Sequence, residues 1–112
     1  MNNELLAICI PVYNNKDKLK ENILNIKRAF NHYNFYPTIY ISDNCYNDRL
    51  RNEIKELLSI YPKIVYSVNQ PNVGLDNNVE IVLKKSTAKY SWLLGVDDEI
   101  NLNISRIMRL RV

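Results

Sequence analysis

Three consecutive acids, Asp97-Asp98-Glu99, stand at the exit of the apolar stretch Tyr90-Ser91-Trp92-Leu93-Leu94-Gly95. Carboxylates crowded at the end of a buried strand repel one another unless a cation sits between them. Their oxygens are the ligands that Mg²⁺ and Mn²⁺ prefer, one or two of them together with substrate phosphates. The run therefore suggests a metal holding a phosphorylated substrate. A solvated acidic turn that caps the next helix is the plainer alternative, because short acidic motifs arise often by chance. Two more polar tips follow apolar runs: Pro11-Val12-Tyr13-Asn14 and Ser42-Asp43-Asn44.

What must position these tips is an alternation of strands and helices. Leu5 to Ile10 is a continuous apolar run, expected of a strand covered on both faces and ended by Pro11. Leu19, Ile23, Ile26 and Phe30 recur at helical spacing, with Asn14 or Asn15 as a cap. Thr38 to Ile41 is a second β-rich run, and Leu50, Ile54, Leu57, Leu58 and Tyr61 form a second helical stripe. Pro62 stops that helix before a third strand, Ile64 to Val68. The turn-rich segment Asn69 to Gly74 leads to a helix capped by Asp76 or Asn77 and using Val79, Val82 and Leu83. The acidic strand comes fourth, and Ile104, Ile107, Met108 and Leu110 suggest a last helix.

Strand–helix repetition with short loops implies parallel strands joined by right-handed crossovers. The expected fold class is thus α/β, a Rossmann-like, mostly parallel sheet of about four strands flanked by helices. Ligands of such sheets bind beyond the carboxyl ends of the strands, where strand order reverses. All three polar tips would project from that edge, and their joint placement says more than any one of them.

Composition narrows the classes. A chain of 112 residues, 46% hydrophobic and 24% charged, fits one soluble domain or part of one. A net charge of +3 is too small an excess to argue for nucleic-acid binding. Cys9 and Cys45 make neither a disulfide framework nor a zinc spacing, which suits a reducing cytosol. No signal-peptide pattern and no apolar run long enough to span a bilayer are visible, so membrane contact is expected to be peripheral at most.

Four stretches in order resemble the nucleotide-sugar-binding half of a family 2 glycosyltransferase of GT-A fold. Ile8-Cys9-Ile10-Pro11-Val12-Tyr13-Asn14 is similar to that family's opening strand and turn, and Ile41-Ser42-Asp43-Asn44 to the segment whose acid recognises the base. Asn72-Val73-Gly74-Leu75-Asp76-Asn77-Asn78 resembles its Asn-x-Gly-x-x-x-Asn, and Leu94-Gly95-Val96-Asp97-Asp98-Glu99 lies where its metal-binding Asp-x-Asp belongs. Val96 stands where that motif has its first acid, so the resemblance implies Asp98 as the metal ligand and leaves two alternatives, a site that tolerates the loss and one weakened by it. The resemblance further implies that residues 1–112 form only the donor-binding part, ending before the acceptor-binding part and the catalytic base. Family catalytic domains run to roughly twice this length.

The resemblance assigns roles that each have a plainer counterpart. Asp43 would accept hydrogen bonds from the base edge, as a carboxylate does well, or would close an Asx turn. Tyr13, with Pro11 and Val12 stiffening the turn, would flank the base, or would be a half-buried loop tyrosine. Asn14 and Asn44 would touch the nucleotide, or cap and close loops. Gly74 would supply a positive φ or close approach to the ligand, between Asn72 and Asn78, which brace the loop more than they touch ligand. Asp97 would orient the ribose or a metal-bound water. Trp92 reads as core, and His32 has no partner that would make it catalytic.

The implied function is transfer of a sugar, with inversion, from a nucleotide diphosphate donor (UDP-sugar first) to a hydroxyl of a saccharide or lipid-linked acceptor. Mg²⁺ or Mn²⁺ would be the cofactor, and bacterial surface polysaccharide synthesis on the cytoplasmic side the setting. Two competitors come from other classes. One is a non-catalytic remnant that self-associates, as a homodimer, through apolar surface left uncovered. The other is a receiver-like signalling domain, which needs its acidic pair after the first strand, where Tyr13-Asn14-Asn15 stand instead.

Overall fold

The computed structural model describes residues 4–13, 16–44, 49–69 and 73–95. They form four strands and three helices in strict alternation: β1 (Leu6–Val12), α1 (Lys16–Asn31), β2 (Thr38–Asp43), α2 (Arg49–Ile60), β3 (Ile64–Val68), α3 (Leu75–Lys85) and β4 (Tyr90–Leu93). The strands make one parallel sheet in the order β3-β2-β1-β4. This is the expected α/β architecture. The last helix proposed from Ile104 to Leu110 lies outside the described residues.

The strand order explains the layering. The chain steps from β1 to β2 to β3 in one direction, then returns past β1 to place β4 on the other side. Crossovers of one hand then put the helix of the return step on the opposite face. Accordingly α1 and α2 cover one face, where Ile8, Ile10, Ile39 and Ile41 meet Leu19, Ile23, Ile26, Leu57 and Trp92. α3 covers the other, where Ala7, Cys9 and Tyr40 meet Val82 and Ala88. Side chains alternate faces along a strand, so apolar residues are needed at every position of a doubly covered one. β1 meets that requirement, with Leu6 to Ile10 all buried. Each large aliphatic side chain so covered contributes about 1.5–3 kcal/mol.

Pro11 does not end β1, contrary to expectation; the strand continues through it to Val12, which pairs with Asp43. The reason is directional. Val12 O accepts from Asn44 N and Cys9 O from Leu94 N, so odd residues of β1 face β4 and even ones face β2. The hydrogen that Pro11 lacks would point toward β4, beyond the last β1–β4 pair, Cys9 with Leu93. Proline is tolerated where no ladder partner waits.

The third helix also begins earlier than Asp76 or Asn77 as caps would require. Its N-cap is Gly74, at φ 85° and ψ 164°, and Asp76 lies inside the first turn. Asn78 rather than Val79 joins Val82 on the buried face, because the sheet rim beneath it offers polar partners. At the opposite, amino end of the sheet, Glu4 Oε2 accepts from Thr38 N at 3.1 Å and from Lys63 Nζ at 2.9 Å. Tyr61 donates to Pro37 O there, and its burial beside Glu4 raises its pKa.

Candidate donor-binding rim

The carboxyl ends of β1, β2 and β4 lie side by side, with the reversal of strand order between β1 and β4. Tyr13 follows β1 immediately and is 60% exposed. Its neighbour Val12 turns its side chain into the core and leaves its carbonyl to Asn44 N, 2.8 Å away, while Pro11 is half-buried. On the other side of β1, Leu94 N bonds Cys9 O at 2.9 Å, which keeps the exit of β4 toward Gly95 beside β1. Tyr13, Asp43 and the exit of β4 therefore share one edge of the sheet.

Asp43 ends β2 with no exposed surface. Tyr66 of β3 donates its hydroxyl to Asp43 Oδ2 at 2.7 Å, and Asn69 N donates to Asp43 O at 2.8 Å. Tyr66 shares its sheet face with Ile41 and packs against the same core. Parity alone places it on one face with Ile64 and Val68, so a hydroxylated ring between two aliphatic residues of that face was a signal available in the sequence.

A set of asparagines closes the rim between β2, β3 and α3. Asn44 Oδ1 accepts from Val73 N at 2.9 Å and from Asn69 Nδ2 at 3.2 Å. Asn78 Oδ1 accepts from Asn69 Nδ2 at 2.8 Å, and Asn78 Nδ2 donates to Ser42 O at 3.2 Å. Asn77 Nδ2 caps Val73 O at 2.9 Å. Gly74 takes its positive φ where, among the described residues, a Cβ would meet nothing within 4 Å. Its conformation, not close approach of neighbouring protein atoms, is what requires glycine.

Asn14, Asn72, Asp97 and Asp98 lie outside the described residues. Among the described residues no group of three His, Cys, Asp or Glu side chains comes together to hold a metal ion. Cys9 is a free, buried thiol whose pKa burial pushes up to about 11, so it is no nucleophile. Among the described residues no helix is long and apolar enough to cross a membrane.

A parallel sheet with this reversal and a polar rim at its carboxyl edge defines an α/β ligand-binding fold of the GT-A kind. Solved structures share it: mannosyltransferase PcManGT from Pyrobaculum calidifontis, in complex with GDP-Man and Mn²⁺, superposes with a TM-score of 0.65 at 14% identity over 87% of this chain and 28% of that one. S. aureus TarS 1-349 in complex with UDP gives a TM-score of 0.61 at 19% identity, covering 88% of this chain and 29% of that one. In sequence, abequosyltransferase RfbV of Salmonella typhimurium (strain LT2) is 33% identical over 97 residues, which is 86% of this chain and 29% of that protein. The model for glycosyl transferase family 2 matches residues 7–108, and the chain belongs to that family. It spans under a third of the length of these relatives, 29% of RfbV and 28% of PcManGT.

Proposed function

We propose that this chain binds the nucleotide diphosphate sugar of a family 2 glycosyl transfer, UDP-sugar first among donors, with a divalent metal. The observation that carries the reading is the meeting of Tyr13, Asp43 and the exit of β4 on one carboxyl edge, at the reversal between β1 and β4. A crevice at such a reversal is where open α/β sheets take their ligands. Relatives seen with GDP-Man and Mn²⁺, and with UDP, support the same reading.

On this reading Asp43 accepts from the base edge and Tyr13 flanks the base, with Pro11, Val12, Asn14 and Asn44 shaping that pocket. Asp43 is covered as the chain stands, so the base reaches it only as its cover gives way. Asn72, Gly74 and Asn78 form the wall beside it, and Asp97 orients the ribose. Asp98 would hold Mg²⁺ or Mn²⁺, an ion that offsets the charge gathering on a departing nucleotide diphosphate. The donor's sugar would pass with inversion to a hydroxyl of a saccharide or lipid-linked acceptor in surface polysaccharide assembly. A cytoplasmic setting suits the free thiol of Cys9.

The test is calorimetric titration of UDP into the folded chain with Mn²⁺, repeated with Asp98→Ala. Binding that Asp98→Ala abolishes or strongly weakens is expected. A folded sample that takes up no UDP, or binding indifferent to Asp98, overturns the proposal.

A further inference from the structure

Asn69 stands one residue beyond β3, outside every motif that the sequence singled out as a site. A side-chain amide has two N–H hydrogens, and both are engaged here. One goes to Asn44 Oδ1 at 3.2 Å and the other to Asn78 Oδ1 at 2.8 Å. The oxygen of Asn44 takes its second bond from Val73 N, so both of its lone pairs are filled. Asn69 N in turn bonds Asp43 O. One residue thus ties the end of β2, the end of β3, the turn before Gly74 and the first turn of α3.

The bonds also have a fixed sense. Asn44 is 4% and Asn78 2% exposed, so water cannot readily replace a missing partner. Two carbonyl oxygens face the Asn69 amide group, and only a donor answers both. An aspartate of the same shape would aim acceptors at acceptors, and a buried network with one wrong member loses more than one bond.

We propose that Asn69 is a positioning residue of the donor site. It acts through Asn44, Val73 and Asn78 to hold the Gly74 turn against the strand end that carries Asp43. This rests on the donor-binding reading above and extends it to a residue with no assigned role. Asn69 itself need touch no ligand.

The test compares wild type, Asn69→Asp, Asn69→Ala and Ile26→Val, all in the full chain. Ile26→Val removes a methylene from the buried face of α1 and serves as a destabilised control away from the rim. Two readouts are followed: hydrogen exchange at the Val73 amide, and the Kd for UDP with Mn²⁺. Both Asn69 variants should speed Val73 exchange and raise the Kd about tenfold, the loss expected when a buried hydrogen bond is removed. Ile26→Val should leave both within about twofold. If folded wild type binds no UDP, the donor reading fails and this role with it. If wild type binds and the Asn69 variants bind equally well, only the positioning role fails. It fails also if Ile26→Val shifts both readouts as much as they do. Should Asn69→Asp not fold, Asn69→Ala carries the same comparison.

Discussion

Tyr66 reaches from β3 to donate its hydroxyl to Asp43 Oδ2, 2.7 Å away, and so fixes one oxygen of the buried carboxylate that ends β2. The strand beside Asp43 therefore helps to orient it.

Tyr66→Phe keeps the ring and removes the hydroxyl that bonds Asp43 Oδ2. It should cost about 0.5–3 kcal/mol of stability, the range that hydrogen bonds to neutral and to charged partners span. Urea unfolding measures this, and a loss below about 0.5 kcal/mol would mean the bond contributes little.

Gly74→Ala should destabilise although none of the described residues crowds the site. At φ 85° and ψ 164° the backbone lies in a region that side-chain-bearing residues occupy only at a cost of about 1–3 kcal/mol. Chemical denaturation checks it: a neutral variant would show that the turn relaxes freely. Weaker UDP binding by the folded variant is expected with it.

Ser42→Ala should be neutral or stabilising. Among the described residues the buried hydroxyl of Ser42 has no hydrogen-bond partner, so folding strips it of water without compensation there. An unchanged or higher Tm is the expected outcome. A loss above about 1 kcal/mol would require a partner for that oxygen.

Alkaline pH should weaken the fold through Cys9. Its thiol is held from 9.0 up to about 11 by burial, opposed by a hydrogen bond to Ser91. The folded state thus keeps a proton that the unfolded chain releases. Stability is whole below pH 9 and falls as the pH rises toward 11, since the unfolded state binds fewer protons there. Cys9→Ala should shallow the decline seen in urea midpoints between those values, leaving the part that Tyr61 contributes at still higher pH. An identical slope in the variant would remove Cys9 as its cause. Native Cys9 should also resist iodoacetamide at pH 8 and react once unfolded, as thiolate fraction and access require.

Much of the fold was legible because it rests on period and punctuation. The stripe Leu19, Ile23, Ile26 is the buried face of α1, and Ile54, Leu57 and Tyr61 line the core from α2 and its end. Trp92 lies in the core as its alternation with Leu94 suggested. The misread boundaries were local sequence rules overruled by neighbours. Pro11 stays in β1 since its donor side lies beyond the last β1–β4 pair, and Asn78 takes a core position since Ser42 O awaits it.

Sequence alone determined the alternation of strands and helices, the doubly covered sheet and the order of the four family motifs, because hydrophobic period and turn chemistry are properties of adjacent residues. Tertiary structure decided what meets at the rim. Tyr66 finds Asp43 and Asn69 finds Asn44 and Asn78 across separations of 23, 25 and 9 residues. Such bonds depend on strand register and on which side of β1 the chain returns, and no local pattern encodes either.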